Sequence, residues 1–145
     1  MPGRAEFTIS AEIPALTEIL DGIGILLRQN NVSVDLISDI ELAVDEVVTN
    51  SILHGYGGGG TGTIHIVVQL RPDRVEMTIE DQGTPFDPTT FEPKTQEGDI
   101  SERVPGGLGI ILIRNVMDKI MYRRDGRTNI LHLVKLIRNR YDQES

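Results

Sequence analysis

Cysteine is absent from this 145-residue chain, so neither a disulfide framework nor a thiolate metal site is available to it. No apolar run approaches the roughly 20 residues that a membrane-spanning helix needs. The opening "MPGRAEFTIS" has no apolar core of the kind a secretory signal carries. These absences make a cytoplasmic protein with no membrane attachment the expectation. Positive charge is also in short supply: 14 Lys and Arg stand against 22 Asp and Glu, a formal net charge of −8. That balance argues against a broad grip on a phosphate backbone, so no direct nucleic-acid binding is expected. It suits a basic or mixed-charge protein partner. What remains is ordinary for a globular protein, with 39% hydrophobic and 25% charged residues. The length allows a single domain over 1–145 that buries its own core.

The hydrophobic pattern alternates between strand and helix periods. Ala5, Phe7 and Ile9 alternate with Glu6 and Thr8, which predicts a strand over 4–9. Ile13, Leu16, Ile19, Leu20, Ile23, Leu26 and Leu27 predict a helix over 11–29, weakened by Gly22 and Gly24. After "QNNVS", Ser33 is placed to cap a second helix over about 34–55, which Gly55 and Gly57 to Gly60 terminate. Ile64, Ile66, Val68 and Leu70, then Val75, Met77 and Ile79, predict two strands joined by the short turn "RPD". Residues 83–106 lack periodicity, and so long a loop within a compact domain is usually functional or mobile. A helix over about 108–117 and a hairpin of 119–124 with 128–137 complete the order. No repeat or linker marks a second domain. The expected class is α+β: a two-layer sandwich with a mixed, mostly antiparallel sheet covered on one face by helices.

Three polar clusters interrupt that pattern. In "IELAVDEVVTNSILHGY", Glu46, Asn50 and His54 recur at i, i+4 and i+8, so they line one face of an otherwise apolar helix. A carboxylate and an amide set among buried groups are costly unless something satisfies them. Second, "IEDQGTPFD" puts Asp81 just past a strand, with Gly83 two residues on. A carboxylate there can accept from an exocyclic amine such as that of adenine, and the glycine lets a flat base approach. Alone, the pair reads better as an ordinary turn, since Asp and Gly are turn residues. Third, Gly106, Gly107 and Gly109 in "VPGGLGIILIRNVM" open a helix whose free N–H groups and dipole suit a phosphate. Alone, this is also readable as a plain glycine-rich helix entry. No Lys-Ser/Thr pair follows either glycine-rich stretch, so neither is a P-loop. Because no strand leads directly into 106–109, a dinucleotide fingerprint is also poor.

Taken in order, the motifs resemble one family. "ELAVDEVVTNSILHGY", "IEDQGTPFD", "GGLGIILIRNVMD" and "YRRDGRTNILHLVK" are similar to the GHKL ATPases, which bind ATP in the Bergerat α/β sandwich. The closest resemblance is to the anti-sigma factor serine kinases, and it spans about residues 5–137. The resemblance implies that Asn50 gives its amide oxygen to the Mg²⁺ bridging the ATP phosphates, a suitable hard ligand. It makes Glu46 the general base that takes the proton of an attacking serine hydroxyl or water. Asp81 would accept the adenine amino group, Gly83 would allow close approach, and Thr128 would support the contact through its hydroxyl. Gly107, Leu108 and Gly109 would border the phosphates, residues about 87–105 would form a lid over ATP, and Arg103 would reach the phosphate end. His54 matches a family position and is expected to line the pocket or to be structural.

The function so implied is that of a serine/threonine protein kinase dependent on ATP and Mg²⁺ that doubles as an anti-sigma factor. It would sequester a sigma factor, phosphorylate a STAS-type anti-anti-sigma protein and form a homodimer. Histidine kinases, topoisomerases and mismatch-repair proteins share the fold but carry further domains. The alternative is a nucleotide-responsive module that switches partners without phosphorylating them.

Overall fold

The computed structural model describes residues 3–57, 62–89 and 107–137. The chain begins with β1 (Arg4–Ser10), passes a 3-10 turn at Ile13–Ala15, and forms α1 (Leu16–Gln29) and α2 (Val34–Asn50). A π-helical turn, Ser51–Gly55, extends α2 and leads to β2 (Thr63–Leu70) and β3 (Arg74–Asp81). Then come α3 (Gly107–Val116), β4 (Lys119–Asp125) and β5 (Thr128–Leu136). Pro14 explains why the first expected helix opens as a tight turn: it sits at that turn's start, where no N–H is needed. Ser33 caps α2 as expected, its hydroxyl accepting from the Leu36 N–H at 3.3 Å.

The five strands form one sheet in the order β1-β2-β3-β5-β4. Every neighbouring pair is antiparallel, which corrects the expected mixed sheet. The reason is the position of β5. Strands β3 and β4 run the same way, but β5 folds back between them and pairs with both.

Period-2 alternation sends one set of side chains to the helical layer. Ile64, Ile66 and Val68 of β2, Val75, Met77 and Ile79 of β3, and Leu131 and Leu133 of β5 are buried there. Ile19, Ile23 and Leu27 of α1, and Ile40, Val44, Val47 and Val48 of α2, meet them from above. Each such burial contributes about 1.5–3 kcal/mol relative to exposure, so this seam fixes where α2 lies over β3. Among the described residues no helix is long and apolar enough to cross a membrane.

The two glycines of α1 differ in what surrounds them. A Cβ on Gly22 would come within 2.5 Å of the Phe7 ring, whereas one on Gly24 would meet only the ends of Arg28 and Glu41, at 2.9 and 3.2 Å. Gly22→Ala is therefore expected to destabilise by about 1–3 kcal/mol through overpacking. Gly24→Ala should be neutral or stabilising by up to about 1 kcal/mol, since the flexible side chains can yield. Denaturant melts of the two variants check this pair; equal losses would refute the packing assignment.

Candidate functional site

The end of α2 and the ends of the central strands converge on one cleft. Val47, Asn50, Ser51, His54 and Gly55 recur at helical spacing and form one wall. The π-turn that carries the last of them is a feature often found at functional sites. Ile79, Asp81, Tyr122, Asn129 and Leu131 supply the sheet side, and Ile110 and Ile113 of α3 face them. Counting the part open to solvent, the cleft measures about 780 Å³.

Asp81 is held from three directions. Its Oδ2 accepts from the Ser51 hydroxyl at 2.8 Å. Its Oδ1 accepts from the Gly83 N–H at 2.9 Å and from the Asn129 amide at 2.8 Å. A carboxylate has about four acceptor positions; the donors named here, among the described residues, take three of them, which leaves one suited to an amine donor. Asn129 is fixed in turn: its Oδ1 accepts from the Tyr122 hydroxyl at 2.6 Å and from Arg124 at 2.8 Å. Its Nδ2 also lies 3.1 Å from the Gly83 carbonyl and 3.3 Å from that of Thr84. Among the described residues Asn129 is the one buried polar side chain, and none of their buried side-chain polar atoms is left without a partner.

The sequence suggests that Gly83 admits a flat base. The structure gives it another role: a Cβ there would fall 2.6 Å from the Gly55 carbonyl carbon and oxygen. The absent side chain lets the turn after β3 pack against the end of α2, where the Thr84 N–H donates to the Gly55 carbonyl at 2.9 Å. A backbone cannot retreat as a side chain can, so the space is available only to glycine.

Glu46 and Asn50 lie one turn apart on α2, both half-buried, with Asn50 in the cleft wall and Glu46 beyond its edge, toward α3. Burial, with the neighbouring Asp45 carboxylate as a lesser cause, raises the Glu46 pKa above the ordinary glutamate value. Gly109, expected to border phosphates, lies directly against this side chain: a Cβ on it would be 2.2 Å from Glu46 Oε2. Gly107 and Leu108 form the start of α3 with it. His54 lines the cleft, as expected.

Thr128 requires correction. The register pairs Asp81 with Asn129 and places Thr128 opposite Asp125. Directly paired residues share a face and successive ones alternate. Thr128 therefore lies on the face away from Asp81, and Asn129 takes the place assigned to it. Arg103 and nearly all of the expected lid, about 87–105, lie outside the described residues. Sequence reasoning misses Ser51, Asn129, Tyr122 and Arg124, although alternation already places Asn129 in phase with Leu131 and Leu133.

The donor set fits a magnesium nucleotide. Among the described residues, apolar side chains flank the acceptor position that Asp81 keeps open, which matches a purine carrying an amine. Asn50 offers a neutral oxygen, and among the described residues no group of three or more His, Asp or Glu converges. A cation retained by one protein oxygen together with phosphates suits Mg²⁺, which favours such mixed shells.

The comparisons agree with this geometry. The profile of the histidine kinase-like ATPase domain matches residues 9–135. The serine-protein kinase RsbW of Staphylococcus aureus (strain MSSA476) is 31% identical over 138 residues, covering 88% of this chain and 86% of its own. The RsbW of strain USA300 / TCH1516 matches to the same extent. The chain belongs to the histidine kinase-like ATPase domain family. Among solved structures, the RsbU and RsbW domains of Rv1364c from Mycobacterium tuberculosis superpose with a TM-score of 0.67 at 18% identity. That match covers 94% of this chain and 33% of the other. The catalytic domain of histidine kinase ThkA gives 0.52 at 13% identity, over 92% of this chain and 97% of its own. At such identities these two superpositions speak for the fold.

The amide of Asn129 supports the Asp81 carboxylate and the turn after β3 together. Asn129→Ala is expected to cost about 1–3 kcal/mol, since it leaves buried partners unsatisfied. Denaturant unfolding measures this; a change under about 0.5 kcal/mol, the usual size of a neutral surface substitution, would show that water replaces the amide without loss.

Proposed function

We propose that this protein is an ATP-dependent serine/threonine protein kinase that acts as an anti-sigma factor. The observation that carries the reading is Glu46: a half-buried carboxylate of raised pKa one helical turn from Asn50, beside the cleft that Asp81 defines. A pocket that only bound nucleotide would have no use for a base there. The relatives named serine-protein kinase RsbW support the same class.

In this reading Asp81 selects the nucleotide by accepting from the adenine amino group, with Ser51, Gly83 and Asn129 keeping the carboxylate aimed. Asn50 holds the cation through its amide oxygen, while Gly107, Leu108, Gly109 and the lid residue Arg103 border the phosphates. When bound, Mg·ATP supplies the transferable phosphoryl group and the charge neutralisation such transfer needs. Glu46 accepts the proton of the attacking hydroxyl, and its raised pKa makes it a better base at neutral pH than an ordinary glutamate. The substrate would be a STAS-type anti-anti-sigma protein and the sequestered partner a sigma factor, both cytoplasmic. A homodimer is the expected assembly.

Thermal melting with ADP, with Mg·ATP and without nucleotide tests the pocket. Saturating ligand should stabilise the wild type by roughly 3–4 kcal/mol, and Asp81→Asn should lose the shift whatever its own melting temperature. No shift in the wild type would remove the nucleotide and everything built on it. Labelled ATP with candidate STAS-type proteins then separates kinase from partner switching without transfer. Glu46→Gln should lower transfer by about 10²–10⁴-fold while nucleotide binding persists; retained transfer would take Glu46 out of the mechanism.

The same variant has a pH signature. A carboxylate with a raised folded-state pKa binds its proton more tightly folded than unfolded, so its ionisation costs stability as pH rises through the unfolded and then the folded pKa. Glu46→Gln should thus be no less stable than wild type at pH 7, with any advantage vanishing as pH falls below the usual glutamate range. Melts across pH check this, and parallel profiles would contradict the burial of the charge.

A further inference from the structure

The ladder between β2 and β3 ends one step early. Its last pair is Ile64 with Asp81, and the next step would set Thr63 opposite Gln82. Hydrogen-bonded partners in an antiparallel ladder join through their own N–H and C=O groups. Here a side chain comes between them. The Tyr56 hydroxyl accepts from the Gln82 N–H at 2.6 Å and donates to the Thr63 carbonyl at 2.8 Å. An N–H can only donate and a carbonyl can only accept, so the phenol proton has one assignment. The ring has a seat made for it: a Cβ on Gly62 would fall 2.4, 2.5 and 2.7 Å from three of its carbons. The backbone of Tyr56 is tied to the helical layer, its N–H donating to the Ser51 carbonyl at 2.9 Å, and its side chain packs against the core.

These bonds bracket Asp81. Ser51 meets its carboxylate at 2.8 Å, and Tyr56 holds the N–H of the peptide that follows it. We propose that Tyr56 is a positioning residue for base recognition. Its hydroxyl, inserted between β2 and β3, sets where the Asp81–Gly83 turn lies and so aims the acceptor that selects an amino-substituted purine. This deepens the nucleotide reading of the cleft and rests on it for the identity of the ligand. The inserted group is a spacer as well as a link. Without it, Thr63 and Gln82 either close on each other or take in water. Both moves shift the peptide that joins Asp81 to Gln82, and Gly83 with it. Tyr56 lies outside the cleft wall. Removing its hydroxyl takes no contact from a bound base, so any change in base selection passes through Asp81.

The test is Tyr56→Phe, which keeps the ring and removes the hydroxyl, in two measurements. The first is titration with Mg·ATP and with Mg·ITP, the inosine analogue that carries an oxygen in place of the amine. The wild type should prefer ATP. In the variant ATP affinity should fall about 10-fold, the order of loss for a weakened hydrogen bond to a charged group, while ITP affinity holds. A merely structural role lowers both alike, and that result overturns the proposal, as does an unchanged preference. The second measurement needs no nucleotide: amide hydrogen exchange at Gln82 and Gly83. Both amides should exchange faster in Tyr56→Phe, Gly83 because its N–H loses alignment on Asp81. Faster exchange at Gln82 alone means a lost link without repositioning, and refutes the role. If the wild type binds neither nucleotide, or both alike, the reading of Asp81 as an amine selector fails, and the Gly83 amide decides whether Tyr56 positions the turn. Should Tyr56→Phe not fold, Gly62→Ala takes its place, since a methyl there must push the ring off its seat. A kept preference for ATP in that chain sinks the proposal, and a lost one upholds it.

Discussion

The Asp81 carboxylate is the constraint on which the rest of the site depends. It ends β3, and the groups it accepts from belong to three other parts of the chain: Ser51 at the end of α2, Gly83 in the following turn and Asn129 in β5. A carboxylate with three donors is held by charge-assisted bonds, stronger than neutral ones. It therefore fixes its own direction and ties the helical layer to the sheet where both terminate. The Gly55–Gly83 approach makes this geometry reachable, because Ser51 can meet Asp81 only if the turn after β3 can press against the end of α2. Arg124 adds a brace from the edge hairpin, donating to both Asn129 at 2.8 Å and the Gly83 carbonyl at 3.2 Å.

One turn back along the same helix the design is different. Glu46 lies against Gly109, and burial is the main cause that raises its pKa. Among the described residues its pKa is raised by burial first and by the Asp45 carboxylate second. The two carboxylates thus sit in contrasting environments: Asp81 is aimed by its donors, and Glu46 gains proton affinity from burial. That division matches the roles assigned to them, one reading a hydrogen-bonding edge and the other accepting a proton.

Much of the fold is legible because strand and helix periods are clean in this sequence. Ile64–Ile66–Val68 and Val75–Met77–Ile79 alternate without fault, and they form the paired central strands. The sheet order is harder. Nothing local in β5 says that it inserts between β3 and β4 rather than adding to an edge, since that choice is made by long-range pairing. The motif residues Glu46, Asn50, Asp81 and Gly83 are visible as polar or glycine positions at readable spacings, and Asn50, His54 and Asp81 line one cleft. The error at Thr128 is one residue of register, which in a strand exchanges one face for the other. An asparagine in phase with Leu131 and Leu133 carries the information, because a polar group on the inward face must have found partners.

Glycine shows where sequence reading reaches its limit. Gly83 and Gly109 both read as positions where something comes close, and at both a ligand is the natural candidate for the incoming group. At both, the structure places another part of the chain there: the Gly55 backbone at one and the Glu46 carboxyl at the other. A glycine states that a side chain is forbidden and is silent on what forbids it. The consequence reaches function. If a glycine serves a ligand, enlarging it weakens binding; if it serves a neighbouring side chain, enlarging it redirects that group and leaves binding intact. Helix α2 sharpens this distinction, because Glu46 and Asn50 are separated by one turn, about 6 Å of rise, on a rigid rod. Their spacing along the helix is fixed, so what the proposed base can reach is decided by its own side-chain direction and by the neighbours that crowd it, Gly109 of α3 among them.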